Sequence, residues 1–361
     1  MKQKLHIAIA CGGTGGHIFP GIAVGEALLR KGHRVTLWMA GKEGEERALL
    51  EWPADCMTMP ITSVSWKNPV HVIRSLFSLM KGFMFVHKRF SSVRPDVLLA
   101  MGSYSSVPPV LAARSLKIPY VLHEANVIPG RAVSFLAKQA ACVALTFEQS
   151  RTHFSKNVQM VTTGLPLRAD IKSERLKPAA TRTRFTLLVV GGSRGAHRLN
   201  EIVPEAVSAW NKPIDVHHVA GVHEYEAVSH TYAEKEIDAT VYDFVHQMGE
   251  LYQKADLVIC RAGASTCMEV SIFGKPALYI PYPYAVRDHQ KANAAALVEH
   301  GAADLIDEVE LDVSGLVDYL EAQWNNRSRL EKMGQCARVF GREHAEEEVV
   351  KILEQVGYDA R

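Results

Sequence analysis

The strand–glycine turn–helix unit that opens each half of this chain constrains its fold more than any other feature. His6–Ala10 is an apolar run of strand length that leads into Gly12-Gly13-Thr14-Gly15-Gly16-His17 and a helical period. Phe185–Val190 leads in the same way into Gly191-Gly192-Ser193-Arg194-Gly195-Ala196 and a second helical period. A glycine-crowded turn lets the backbone approach a ligand closely. The helix after it presents unpaired N–H groups and the positive end of its dipole, which suits phosphate. Two such turns at matching places predict two domains of one architecture.

The remaining strand candidates fit that plan. Arg34–Met39, Val97–Ala100, Tyr120–His123 and Cys142–Leu145 follow in the first half, and Val216–Ala220, Leu257–Cys260 and Ala277–Ile280 in the second. Each is short and apolar and alternates with a longer helical segment, the pattern of βαβ units in a doubly wound α/β sheet buried on both faces. A length of 361 residues allows about two domains at roughly 150 residues each. The polar run from Thr163 to Arg184 lacks an apolar period, so the boundary is drawn at 163/164. Ligands of such sheets bind at the carboxyl ends of the strands, so a cleft between the two domains is the expected site.

Neither glycine turn fits G-x-G-x-x-G, since Ile18 stands where the third glycine would fall, and no G-x-x-x-x-G-K-[ST] occurs. His17 is placed where a helix N-terminus keeps imidazole neutral, as a general base requires, with Pro20 in the first turn of that helix. A third anion-suited turn runs from Arg261 through Ala264, Ser265, Thr266, Cys267 and Met268 to Glu269. A carboxylate at Glu269 can accept two ribose hydroxyls. Gln290, in the helix after Pro281-Tyr282-Pro283, suits a sugar hydroxyl. Six scattered cysteines show no CxxC spacing and read as buried small hydrophobes, Cys11 included. No metal site and no cofactor is expected, because no DxD-type motif lies beside the glycine turns.

The charge is uneven. Residues 1–165 hold 19 Lys and Arg against 9 Asp and Glu, while the remainder is acidic, so the first domain is expected to meet an anionic partner. No acidic residue occurs from Cys56 to Pro95. Within that stretch Arg74, Lys81 and Lys88 recur every seven residues among Phe77, Phe83 and Phe85. A helix both basic and oily is expected to lie on an anionic bilayer surface, and no nucleic-acid signature accompanies it. No apolar run approaches the ~18 residues of a membrane span. The N-terminal apolar stretch reads as a first strand, which predicts a cytoplasmic chain.

The segments GGTGGHIFPGIAV, HEAN at His123–Asn126, GGSRGA, RAGASTCMEV and GKPALYIPYPYAVRDHQKANA resemble, in order, the motifs of the MurG family. Those are the UDP-N-acetylglucosamine transferases that make lipid II in bacterial cell-wall synthesis. The resemblance implies the GT-B architecture, two Rossmann-like domains facing across a cleft. Residues 1–163 would face acceptor and membrane, joined by the C-terminal helix 343–361, and residues 164–342 would bind the UDP-sugar. It implies an inverting transfer of N-acetylglucosamine to the 4-hydroxyl of the muramoyl sugar of lipid I. The work would take place at the cytoplasmic face of the bacterial membrane. His17 would be the base. Thr14, Gly15 and Gly16 would meet the donor's phosphates and sugar, and Asn126 the transferred sugar. Arg168 and Ser193 would meet the diphosphate, the Val245 backbone uracil, Ala264 to Glu269 the nucleotide, and Gln290 a sugar hydroxyl. Tyr104, His123 and Glu124 would lie on the acceptor side.

Three departures stand out: HEAN for the family's HEQN, Gly164-Leu165-Pro166-Leu167-Arg168 for GNP-x-R, and Gly102-Ser103-Tyr104 for GGY. They leave room for a paralogue with a shifted acceptor or reduced activity; the competing readings are a diacylglycerol glycosyltransferase, a UDP-sugar epimerase, or a non-catalytic UDP-sugar-binding paralogue.

Overall fold

The computed structural model describes residues 3–42, 45, 49, 52–62, 68–177, 184–192 and 196–361. The chain forms two units, Met1–Arg168 with Glu343–Arg361 and Ala169–Arg342.

The first unit is built on seven parallel strands: β1 His6–Ala10, β2 Arg34–Met39, β3 Asp55–Thr58, β4 Val97–Ala100, β5 Tyr120–Glu124, β6 Cys142–Leu145 and β7 Met160–Thr162. Their order is β3-β2-β1-β4-β5-β6-β7. In β1, Ile7 pairs with Val35 on one side and Val97 on the other. Successive β1 side chains point to opposite faces, and both faces are buried. Ile7 and Ile9 pack against Val24 and Leu28 of helix α1 (Gly15–Arg30), while Ala8 and Ala10 share a core with Trp38, Phe90 and Val110. The last two belong to α2 (Pro69–Ser92) and α3 (Val107–Ser115).

The second unit has six parallel strands: β8 Phe185–Val190, β9 Ile214–Val219, β10 Ala239–Tyr242, β11 Leu257–Cys260, β12 Ala277–Tyr279 and β13 Asp304–Leu305, in the order β10-β9-β8-β11-β12-β13. Helix α4 (His197–Trp210) buries Leu199, Val203 and Ala206 against Leu187 and Val189. Two further helices, α5 (Ala264–Ile272) and α6 (His289–Glu299), begin at the carboxyl ends of β11 and of the chain after β12.

The chain then returns to the first unit. Helix α7 (Ala345–Asp359) inserts Val349, Val350 and Leu353 into the core around Ile7 and Ile9. Full burial of such side chains stabilises by about 1.5–3 kcal/mol each. A fork from the Arg361 guanidinium to both Asp96 carboxylate oxygens, 2.8 Å each, pins its end. Burial raises the Asp96 pKa, but that fork and the His6 N–H outweigh it and hold it below the usual range.

The first unit ends later than the polar run suggested, at Arg168 rather than 163. Leu165 and Leu167 are buried, and the Thr163 and Gly164 N–H groups both donate to the Leu145 carbonyl. The nine strands read from sequence are present; the four others, β3, β7, β10 and β13, are the sheet edges. Helix α1 begins at Gly15, so Pro20 lies in its second turn and not its first, where it withholds an N–H from the Gly16 carbonyl.

Candidate active site

Each sheet reverses its winding direction once, and ligands of doubly wound folds bind at the carboxyl ends of the strands beside that switch. In the first unit the switch lies between β1 and β4, so the turns after Ala10 and Ala100 meet there. They are tied together: Met101 N–H donates to the Ala10 carbonyl and Ser105 Oγ to the Gly12 carbonyl. Glycine is required in the turn after β1, which also packs on the end of β2. A Cβ on Gly12 would lie 2.3 Å from the Ala40 nitrogen, and Gly13 has φ +134°. One amide of the turn is already taken, because the buried Glu45 carboxylate accepts from Gly13 N–H and Gly41 N–H at 2.8 Å each. No spacing in the sequence pointed to Glu45. Its partners are chosen by tertiary approach.

Thr14 caps α1 in an extended conformation without a side-chain cap bond, and Gly15 and Gly16 form the first turn with their surfaces exposed. Thr14 Oγ1 instead meets His17 Nδ1 at 3.0 Å. When Nδ1–H donates to that oxygen, Nε2 carries the lone pair a base needs. The ring is partly exposed. The protein around it, and secondarily the Lys42 charge, lower its pKa to about 4, so it is neutral at pH 7. A Cβ on Gly102 would stand in ordinary contact with the ring, 3.5 Å from Nε2, and it is φ +93° that favours glycine there.

Ser103 is the second feature that spacing alone did not mark. It has φ 67° and ψ 163°, a region populated almost only by glycine, and it costs another residue about 1–3 kcal/mol. The sequence signal was its departure from GGY.

His123 and Glu124 end β5 and are buried, so neither offers a surface to an acceptor, contrary to expectation. His123 Nε2 bonds the Gly164 carbonyl at 3.2 Å, and burial lowers its pKa to about 4. Glu124 accepts from the Asn126 and Gly130 N–H groups at 2.9 Å each. Burial raises its pKa to about 7 against those bonds. It shapes the loop that presents half-buried Asn126, whose carbonyl accepts from Ser150 Oγ. Tyr104 opens the turn Tyr104–Ser106 and is half-buried. Arg168 lies over the Phe19 ring of α1 at 4.9 Å and therefore belongs with the first unit, not the second.

In the second unit the switch lies between β8 and β11. Gly191 N–H is tied to the Val219 carbonyl, and Gly192 has φ +86° with no atom of the described residues within 4 Å of a Cβ placed there. Ser193 lies outside the described residues. After β11, Gly263 caps α5 with the same open space. The unpaired N–H groups of the first turn belong to residues Ala264, Ser265 and Thr266, all partly accessible. Cys267 and Met268 are turned into the core by the helical period, so their side chains contact no ligand there. Glu269 returns to the accessible side, where Tyr252 OH donates to its Oε2 at 3.0 Å. Arg261 braces the neighbouring turn through the Ile280 and Pro281 carbonyls and an ion pair with Glu308. Gln290, on α6, accepts the Tyr282 N–H at 3.0 Å. Val245 sits half-buried in the loop after β10. No cluster of three metal-ligating side chains occurs among the described residues.

Helix α2 carries a different surface. Val70, Ile73, Phe77, Met80 and Met84, spaced three and four apart, are each more than half exposed. This stripe lies opposite the core-facing Ser75, Ser78, Gly82 and Val86, and exposed Arg74, Lys81 and Lys88 flank it. Phe85 does not share it: its ring packs edge-on to Trp38 at 6.3 Å. Phe83 lines a groove of about 1050 Å³ between α2 and α3, with Leu76, Leu79 and Leu111. No helix among the described residues is long and apolar enough to cross a membrane.

Two doubly wound parallel sheets in one chain, with the last helix returned to the first, define the GT-B class. Family models agree: the glycosyltransferase family 28 N-terminal domain matches residues 7–145, and its C-terminal domain residues 186–355. A Geobacter sulfurreducens protein named UDP-N-acetylglucosamine–N-acetylmuramyl-(pentapeptide) pyrophosphoryl-undecaprenol N-acetylglucosamine transferase is 36% identical over 357 residues, covering 96% of this chain and 97% of that one. The crystal structure of Acinetobacter baumannii MurG superposes with a TM-score of 0.81 at 30% identity, covering 98% of this chain and all of that one. The chain belongs to the MurG family of glycosyltransferases. A UDP-N-acetylglucosamine 2-epimerase from Neisseria meningitidis, at 14% identity, TM-score 0.70 and coverage of 97% and 100%, shares the fold alone.

Proposed function

We infer that this chain transfers N-acetylglucosamine from UDP to the 4-hydroxyl of the muramoyl sugar of lipid I, forming lipid II for peptidoglycan. The full-length relationship to transferases named for that reaction carries the reading. In the transfer, His17 Nε2 takes the proton of the acceptor hydroxyl. That oxygen bonds to the anomeric carbon, and the bond to UDP breaks on the opposite face, so the configuration inverts. UDP leaves with the electron pair, and the first-turn N–H groups of α5 suit its charge. Glu269, aimed by Tyr252, takes the ribose hydroxyls. Gly15, Gly16, Asn126, Arg168, Ser193, the Val245 backbone and Gln290 complete the donor's contacts. His123 and Glu124 act as positioning residues behind Asn126.

The exposed apolar stripe of α2 and its flanking cations suit a peripheral seat on anionic lipid. UDP-sugars are cytosolic, which makes the cytoplasmic face the working surface; the role then extends to cell shape and division.

His17→Gln tests the chemistry. Loss of a general base lowers kcat by about 10²–10⁴-fold, read as lipid II formed from UDP-N-acetylglucosamine and lipid I. The base acts unprotonated, so in the wild type kcat/KM falls as pH drops through the free-enzyme value of about 4. Bound diphosphates raise an imidazole pKa, so kcat falls at a higher pH than kcat/KM. Coincident acid limbs near the ordinary histidine value would remove His17 from this role.

A further inference from the structure

Three serines follow Gly102, and two of them are fully explained by the fold. Ser105 Oγ binds the Gly12 carbonyl and so staples the two turns at the first switch, while Ser106 Oγ binds the Gly102 carbonyl and closes the second turn on itself. Ser103 is different. Its hydroxyl has no hydrogen-bond partner among the described residues, and its backbone is held where only glycine is comfortable. The hydroxyl is aimed at the space kept open by the missing side chain of Gly13. From the point a Gly13 Cβ would fill, Ser103 Oγ is 3.0 Å away and His17 Nδ1 3.9 Å. A glycine at 103 would take this backbone without strain, so the fold gains nothing from serine there. Strain of this kind persists where the side chain it aims has a use.

We propose that Ser103 determines acceptor selectivity: its hydroxyl donates a hydrogen bond to an acceptor oxygen beside the hydroxyl that His17 deprotonates. This rests on the acceptor being handled at the first switch. The acceptor's sugar and pyrophosphate present many such oxygens, and an anionic one makes the stronger partner.

The test compares Ser103→Ala and Ser103→Gly in the full chain, with steady-state kinetics in each substrate and a thermal melt. Both variants are expected to lower kcat/KM for lipid I about tenfold, the loss of one charge-assisted hydrogen bond. The KM for UDP-N-acetylglucosamine should stay within about twofold. Ser103→Gly should also melt at a higher temperature than wild type, because the strain is gone. A purely structural serine predicts unchanged kinetics, so Ser103→Gly with undiminished lipid I turnover would overturn the proposal. Equal losses on donor and acceptor would overturn it too. Should Ser103→Ala not fold, Ser103→Gly decides alone. His17→Gln in the same assays tests the base separately, so each reading can fail without the other.

Discussion

The two switch points follow one rule and differ in how they are closed. At the first, the turns after β1 and β4 are bound to each other and to Glu45, and a Cβ on Gly12 would strike backbone. At the second, Cβ positions on Gly192 and Gly263 meet nothing within 4 Å among the described residues. The closed turn holds His17, and the base proposed for it needs its lone pair fixed to a fraction of an ångström. The open turns leave backbone N–H groups uncovered for a ligand that brings its own bulk and charge. Glycine therefore stands in two settings here: contact between chain segments in one unit, and open space beside the backbone in the other, where the proposed donor would sit.

The sharpest break of that contrast is a pair of alanine substitutions. Gly12→Ala should destabilise by several kcal/mol, as overpacking against rigid backbone does, and lower the melting temperature markedly. Gly263→Ala, at φ −65°, should leave the melt unchanged and raise only the donor KM. Equal melts would mean the closure at the first switch is looser than the contacts require.

A smaller effect sharpens the second switch. Glu269→Ala removes a charged acceptor worth about 1.5–3 kcal/mol, so the donor KM should rise by one to two powers of ten while vesicle binding stays constant. An unchanged KM would take Glu269 out of the nucleotide contacts.

The smallest effects lie away from both switches, on α2. Arg74, Lys81 and Lys88 should each add about 1 kcal/mol to binding of anionic vesicles at low salt. Reversing all three to Glu should release the protein from vesicles and slow transfer to lipid-embedded acceptor. Transfer to a short-chain soluble acceptor should survive, and salt should mimic the change in wild type. Equal loss on both acceptors would place the helix in the acceptor pocket instead of at the membrane.

What was legible in the sequence follows from burial. Val97–Ala100 and Leu257–Cys260 are covered on both faces, so they read as unbroken apolar runs. Asp55–Thr58 and Ala239–Tyr242 are edge strands of four residues each with accessible side chains, and their shortness and broken apolar runs hid them. The run from Thr163 looked like a linker because its polar residues outnumber Leu165 and Leu167, although those two leucines decide where it packs. At the site, the glycine turns and His17 were legible because local backbone geometry demands those residue types. Glu45, Tyr252 and the orientation of Phe85 depend on which distant segment arrives beside them. Helical spacing did carry one unused clue: Gly82, Val86 and Phe90 form the buried face, which leaves the exposed stripe to Phe77, Met80 and Met84.

The docking of α7 into the core around Ile7 has a consequence for the order of events during synthesis. Residues 169–342 form an uninterrupted segment with its own core, so that unit can complete itself while the chain is still emerging. The other unit waits for its last helix: Gly357 packs against Leu5 and Arg361 reaches Asp96, contacts that close the chain from end to end. Until residues 345–359 have emerged, the side chains that will receive Val349, Val350 and Leu353 stay uncovered. The turn after β1, made well before α7, is thus set on its foundation only when that helix arrives.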